Sequence, residues 1–219
     1  MGNIGKQVGA ILLCILAMAH GSAMDATGNE FVSVEDLKAD LRTQNIDRII
    51  KTLNVVKRMT YQGQVLPFLM DLWTNQKDKY PELQWEIINS DIVKIDTANI
   101  LLQAERNGRM QVDKSGIYEF AARLIDSSDV QVAQNAILTL ALIDEPRVVD
   151  KILSAAKRQN KWTFRASVLA LNSMCHQSAE KALDQLETLA KDAELKAEIQ
   201  KDRHKMMDYK ARTSMCKKN

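Results

Sequence analysis

Apolar residues recur at helical spacing through most of this chain. In NIDRIIKTLNVVKRM, residues 45–59, Ile46, Ile49, Ile50, Leu53 and Val56 fall three or four apart with charged residues between them. One face is therefore apolar, and an amphipathic helix is predicted. Just before it, SVEDLKADL sets Leu37 and Leu41 four apart and Ser33 three residues ahead of Asp36, the spacing of a capping box that starts a helix. VLPFLMDLW carries Val65, Leu66, Leu69 and Leu72 on a third helical stripe, with Pro67 where only a first turn tolerates it. WTNQKDKYPEL, residues 73–83, is polar and contains Pro81, so it is predicted to be an exposed connection. Helical spacing returns in LQWEII and in IVKIDTANILLQAE, where Ile92, Ile95, Ala98 or Asn99, and Leu102 can share a face. NGRMQVDKSG then breaks the pattern.

Beyond residue 116 the pattern repeats itself. IYEFAARLI places Ile117, Phe120, Ala121 and Leu124 on one side, and VVDKILSAA does the same with Val149, Ile152, Leu153 and Ala156. Phe120 and Ile152, and Leu124 and Ala156, are separated by the same 32 positions. The helices that follow keep this shift, pairing Val132 with Phe164, Ala136 with Val168 and Ile143 with Cys175. A further shift of 33 carries Val149, Leu153 and Ala156 to Ala182, Leu186 and Leu189. Asp144, Glu145 and Pro146 punctuate one unit, and HQSAE, residues 176–180, the next. Such a two-helix unit cannot cover its own apolar face, so burial requires stacking on its neighbours. Ala133, Ala136, Ala166 and Ala170 would let helices approach closely, while Trp162 and Phe164 are expected as large wedges between layers. No period-two alternation of strand type is present. The fold class expected is all-α, a short right-handed solenoid of stacked antiparallel helix pairs, forming one repeat domain over residues 33–216 with its clearest units in 117–190.

This pattern resembles the HEAT/armadillo group of α-solenoid repeats, in a short-repeat form. LPFLMDL at residues 66–72 is similar to its first helices, and Phe164, Arg165, Val168 and Leu171 to the F-R-x-x-V-x-x-L of its second helices. The resemblance implies an Asp or Asn before the second helix bonded across the turn to an Arg within it. Asp129 matches the first role in one unit and Arg165 the second in the next, but neither unit clearly holds both. The 32-residue period is shorter than the 40–47 usual for the group. Tetratricopeptide repeats are closer in length, but their Trp, Gly, Tyr and Pro pattern is absent.

The N-terminus adds a compartment. Lys6 followed by the apolar run Val8–Ala19 and small residues at Ala17, Ala19, Gly21 and Ala23 has the form of an export signal over residues 1–23, with cleavage after Ala19 or Ala23. That run is too short to span a bilayer comfortably. Leu13 precedes Cys14 where a bacterial lipoprotein signal carries a small residue, so Cys14 is not read as a lipid attachment site. The mature chain then holds Cys175 and Cys216, which an oxidising compartment would allow to pair. Localisation is accordingly expected to be periplasmic or secreted.

Charge is uneven. Residues 24–149 carry a net charge of −5 and residues 150–219 one of +6, an asymmetry that can orient an acidic partner toward the C-terminal half or be ordinary solvated surface. The basic tail KDRHKMMDYKARTSMCKKN could meet an anionic membrane surface peripherally, helped by Met206 and Met207, or simply cap the last repeat. Export argues against nucleic acid, on which Tyr209 could otherwise stack.

The sequence contains no HExxH, CxxC or GxSxG, and GNIGKQVG lies within the export signal. Cys175, His176, His204 and Cys216 are ligand types that suit zinc, but their spacing fits no compact zinc signature, and neighbouring helical residues point about 100° apart, with Cys175 expected inward and His176 outward. Glu30, Glu35, Asp36, Asp40 and Asp47 read as helix termini and solvent faces. No catalytic residue, cofactor or metal is assigned. The function expected is that of an exported, non-enzymatic module that binds an envelope protein or peptide, with Gln134, Asn135, Lys161 and Arg165 as contact candidates. A small helical-bundle enzyme or ligand-binding protein with a dispersed site is the alternative.

Overall fold

A computed structural model describes residues 23–24, 30–59, 63–158, 161–190, 193–213 and 216. The export-signal segment, Cys14 included, lies outside the described residues except for Ala23. The chain divides into two compact units, residues 1–93 and 94–219, whereas the helical pattern alone groups 33–216 together.

The N-terminal unit opens on two short strands, β1 (Ala23–Met24) and β2 (Glu30–Phe31), paired antiparallel with Ala23 opposite Phe31. These are the strands among the described residues, and they precede the first helix expected from the pattern. Helix α1 (Val34–Leu41) starts where Ser33 predicts it. Ser33 Oγ accepts from the Asp36 amide at 3.1 Å, and Asp36 Oδ2 accepts from the Ser33 amide at 3.0 Å. The Ser33 hydroxyl, which donates to Asp36 Oδ2 at 2.6 Å, and then the Ser33 amide hold the Asp36 carboxyl below its ordinary pKa.

Leu37 and Leu41 are buried, and so is Asp40 beside them. Asp40 therefore departs from the solvent-face assignment, because positions 37, 40 and 41 share the inward side of a helix. There its Oδ2 accepts from the Thr52 hydroxyl, and the Arg48 guanidinium pairs with the carboxylate as a counter-charge. Helix α2 (Ile46–Arg58), capped by Asn45, buries Ile49, Leu53, Val55 and Val56, while Ile46 in its first turn stays exposed.

Helix α3 (Val65–Trp73) has Pro67 in its first turn, where the missing amide hydrogen costs nothing. The polar connection that follows is irregular apart from a 3₁₀ turn at Lys77–Lys79. Tyr80 fastens it: its hydroxyl donates to Asp71 Oδ2 at 2.8 Å and its ring meets Phe68 edge-on at 5.1 Å between centroids. Burial works to raise the Asp71 pKa, but the bonds from Lys79 and Tyr80 outweigh it and hold the carboxyl below its ordinary value.

After the short helix α4 (Trp85–Ile88) comes α5 (Asp91–Arg106). An apolar stripe is predicted on α5, but the helix is buried almost all round, including Asp96, Thr97 and Asn99. A helix enclosed in this way shows little amphipathic periodicity, which is why its inward residues could not be separated from its outward ones by spacing. Gly108, at φ +69°, ends it in the left-handed conformation that glycine adopts without steric cost.

The C-terminal unit continues as helix pairs: α6 (Lys114–Leu124) with α7 (Val130–Ile143), α8 (Pro146–Arg158) with α9 (Lys161–Ser173), and α10 (Gln177–Leu189) with α11 (Ala193–Thr213). Second helices stack on second helices, α7 against α9 and α9 against α11, and α8 packs along α10. This is the stacked-pair arrangement of a helical solenoid. The register read from the sequence describes the burial well: Ile117, Val149 and Ala182 are all buried at equivalent positions, as are Ala136 and Val168. Ala133, Ala136, Ala166 and Ala170 are buried at the close approaches expected of them.

Three expectations are not met. Trp162 is 39% exposed and Phe164 only half-buried, so neither is a deep wedge. Trp162 sits in the first turn of α9. The third difference concerns Cys175 and His176: α9 ends at Ser173, so both lie in the turn, half-buried, and the helical angle between them does not apply.

One register position is chemically discordant. The 32-residue shift places Asn172 where the preceding unit has Leu140, and both are buried, but Asn172 Nδ2 has no hydrogen-bond partner among the described residues. A buried unsatisfied amide costs about 1–3 kcal/mol. Asn172→Leu keeps the branched heavy-atom skeleton and removes the orphan donor, so an increase in unfolding free energy of about 1–2 kcal/mol is expected. Urea denaturation of the two proteins at equal ionic strength measures it, and a decrease would mean that the site cannot accommodate two methyl groups.

Candidate functional site

Polar side chains tie successive second helices together. Asn135 of α7 donates to Asp96 Oδ1 of α5 at 3.0 Å, Asn99 Nδ2 donates to Thr139 Oγ1 at 3.1 Å, and Gln103 donates to Asn99 Oδ1 at 2.7 Å. Asp96, Asn99 and Thr139 are buried, so this seam fixes register instead of meeting solvent. Asn135, expected as a contact residue, is thus engaged within the fold.

Arg165 is engaged in the next interface. Its Nη2 and Nε donate to Glu198 Oε2 of α11 at 2.6 and 3.1 Å. The turn-spanning bond that the family resemblance implies is not the one it makes, and Asp129 instead caps α7, accepting from the amides of Gln131 and Val132. The bond that does bridge units at the turns comes from Asp144. This residue ends α7 at φ +55°, and its Oδ1 accepts from the amides of Cys175 and His176, 31 and 32 residues on, at 2.9 and 3.2 Å. Sequence reading marked Asp144 only as punctuation; its pairing with His176 at one repeat length was the available signal.

Asp202 lies beside Glu198 on α11. Burial, and then repulsion from the Glu198 carboxylate, raise its pKa above the ordinary value. The folded state therefore holds that proton more tightly than the unfolded chain. The stability associated with it is complete below the ordinary carboxylate value and is lost as pH rises through the folded one. Asp202→Asn should raise Tm by a few degrees at pH 7, with the difference closing as pH falls below about 3.8. A difference that persists unchanged at low pH would assign the effect to something other than ionisation.

The C-terminal polar set does not gather into one centre. Cys175 and Cys216 form a disulfide, with S–S 2.09 Å and Cα–Cα 5.3 Å. Arg106 of α5 donates to Cys175 Sγ at 3.5 Å and to the Ser173 carbonyl at 3.2 Å. His176 caps α10, its Nδ1 accepting from the Ser178 amide at 3.2 Å, while His204 Nδ1 donates to the Gln200 carbonyl at 2.8 Å. Among the described residues, no group of three or more His, Cys, Asp or Glu side chains is placed to hold a metal ion. Nor is any helix among them long and apolar enough to cross a membrane. Met206 is half-buried and Met207 67% exposed, and the side chain of Tyr209 lies outside the described residues.

The remaining candidates converge on one edge of the repeat array, where first helices turn into second helices. Lys161 and Trp162 open α9, both exposed, and Lys157 closes α8 just before them. Gln134 Nε2 of α7 donates to the Trp162 carbonyl at 3.2 Å, and the Arg165 guanidinium carbon lies 5.8 Å from the centre of the Trp162 ring. The 32-residue register puts Val130 at the place of Trp162 one unit earlier, and Val130 is 36% exposed. One unit later the same place falls to Leu195, half-buried, with Leu189 on the same connection 45% exposed. Sequence reading found Lys161, Arg165 and Gln134 here as off-stripe polar residues. It missed Val130 and Leu189, because an apolar residue at a helix end carries no sign of its exposure.

Comparison with known proteins agrees with this architecture. Residues 118–200 match the family model for HEAT repeats, the span that contains the three helix pairs up to the first turns of α11. No curated protein and no solved structure matches the chain. The matched segment is a HEAT-like repeat array, a class of scaffold that generally serves protein interaction through surfaces continuous across repeats.

Proposed function

We propose that this chain is an exported helical-repeat protein that binds another protein or a peptide in the cell envelope, without catalysing a reaction. The observation that carries the binding reading is the exposed edge where Val130 and Trp162 hold the same place in successive units of a HEAT-like array, with Leu189 on the following connection, and where these apolar side chains and the exposed Lys157 and Lys161 meet solvent together. Isolated surface hydrophobics need no explanation, but a row of them in repeat register does. Export is supported by the form of residues 1–23, and a cross-link between Cys175 and Cys216 accords with an oxidising compartment such as the periplasm or the exterior. Contact with an anionic membrane surface through the basic α11 is a secondary element of this reading.

Two measurements test it. Intact mass of the protein recovered from the envelope fraction of its host should lack the first 19 or 23 residues and show the two-hydrogen deficit of a disulfide. Affinity capture from envelope extracts at low salt, followed by reciprocal capture, should return a defined protein partner. A cytoplasmic chain that retains Met1 would overturn the export reading, and the failure of any partner to pass reciprocal capture would overturn the binding one.

A further inference from the structure

We infer that the edge formed by Val130, Trp162 and Leu195 is a docking track for an extended, acidic protein segment with an apolar residue at every third position. This rests on the binding reading above and specifies its site and ligand.

The spacing comes from the repeat. Packed helices lie about 8–10 Å apart, so equivalent residues of α7, α9 and α11 present apolar side chains at roughly that interval. The adjacency is direct: the Gln134 side chain bonds the Trp162 backbone, and Arg165 pairs with Glu198 one turn further in. An extended chain advances about 3.3 Å per residue. Its first, fourth and seventh residues are then about 10 Å apart and fall in step with Val130, Trp162 and Leu195. A helical ligand advances only about 1.5 Å per residue and would need a longer, differently spaced motif to do the same.

Charge fixes the composition between those anchors. Lys157 and Lys161 flank Trp162, both are exposed, and neither is paired with a carboxylate among the described residues. Arg165 lies near the Trp162 ring, which gives the centre of the track the aromatic and guanidinium character of energetically dominant interface positions. The Val130 end differs: Asp126 and Asp129 are exposed beside it. A ligand with acidic residues opposite α9 and none at the Val130 end complements both halves, which also sets its direction along the edge.

The probe is a fluorescein-labelled seven-residue peptide with leucine at positions one, four and seven, serine at the two positions facing the Val130 end and aspartate and glutamate at the two between Trp162 and Leu195, titrated with the full chain at low salt and followed by anisotropy. Saturable binding is expected, weakened at least tenfold by Trp162→Ala and at least threefold by Lys161→Glu, a substitution at an exposed position. A peptide of the same composition with its leucines adjacent, and one with lysine in place of the acids, should each bind at least tenfold more weakly. Equal binding of the rearranged peptide, or no loss with either variant, overturns the proposal. If a reciprocally confirmed envelope partner is retained equally by Trp162→Ala and Lys161→Glu, the protein is still a binding module but this edge is not where it binds.

Discussion

Cys216→Ser is expected to lower the unfolding free energy of the oxidised protein by about 4 kcal/mol, the value of the chain-entropy relation for the 41-residue separation between Cys175 and Cys216. The cross-linked loop contains all of α10 and α11, so in the unfolded chain the bond restricts the whole last repeat. In the folded chain it anchors the residue beyond the last helix to the turn that also receives Asp144 and Arg106. Noncovalent contacts remain when the bond is removed: Ile199 is buried, Arg203 pairs with Asp184 and Glu187, and Arg165 pairs with Glu198. The last repeat is therefore expected to stay docked but to open more readily than the rest. Urea denaturation of the two proteins, repeated with a dithiol reductant, measures the effect. Reduction should bring the unsubstituted protein down to the level of the variant and leave the variant unchanged. A midpoint shared by all four samples would show that closing this loop does not limit stability.

What could be read from the sequence followed from how local its causes are. The capping box at Ser33 and Asp36, the proline in the first turn of α3 and the 32-residue register each depend on residues within a turn or a repeat, and the structure contains all three. Asp40 and α5 were harder because their burial depends on what covers them, and no spacing within a helix encodes its second neighbour. Trp162 was misplaced for a related reason. Its size suggests a wedge, but it stands in the first turn of α9 with its side chain 39% exposed. The candidate site was legible in part: polar residues off the apolar stripe were identified, yet Asn135 and Arg165 turned out to spend their donors on α5 and α11. A polar residue off the stripe faces either solvent or the next unit, and only the stacking geometry distinguishes the two.

That stacking makes a cavity in the middle of the array more costly than one at its end. Ile152 is fully buried on α8, which packs against α7, α9 and α10. Ile152→Ala removes three heavy atoms there and is expected to cost about 2–5 kcal/mol. Leu189→Ala, at a side chain 45% exposed, should stay within about 0.5 kcal/mol, as surface substitutions do. The difference has a structural origin, because the register equivalents of Leu189 are Leu124 and Ala156, both buried beneath the unit that follows, and no further pair follows α10 and α11 among the described residues. In a quasi-one-dimensional array each unit is held by its own stability and by its interfaces. A defect in α8 weakens the interfaces on both of its sides. Hydrogen exchange should consequently show amides of α7, α9 and α10 losing protection together in Ile152→Ala, not those of α8 alone. Protection lost from α8 alone, with α10 unchanged, would mean that the pairs are held independently and that the shared core inferred from the 32-residue register does not couple them.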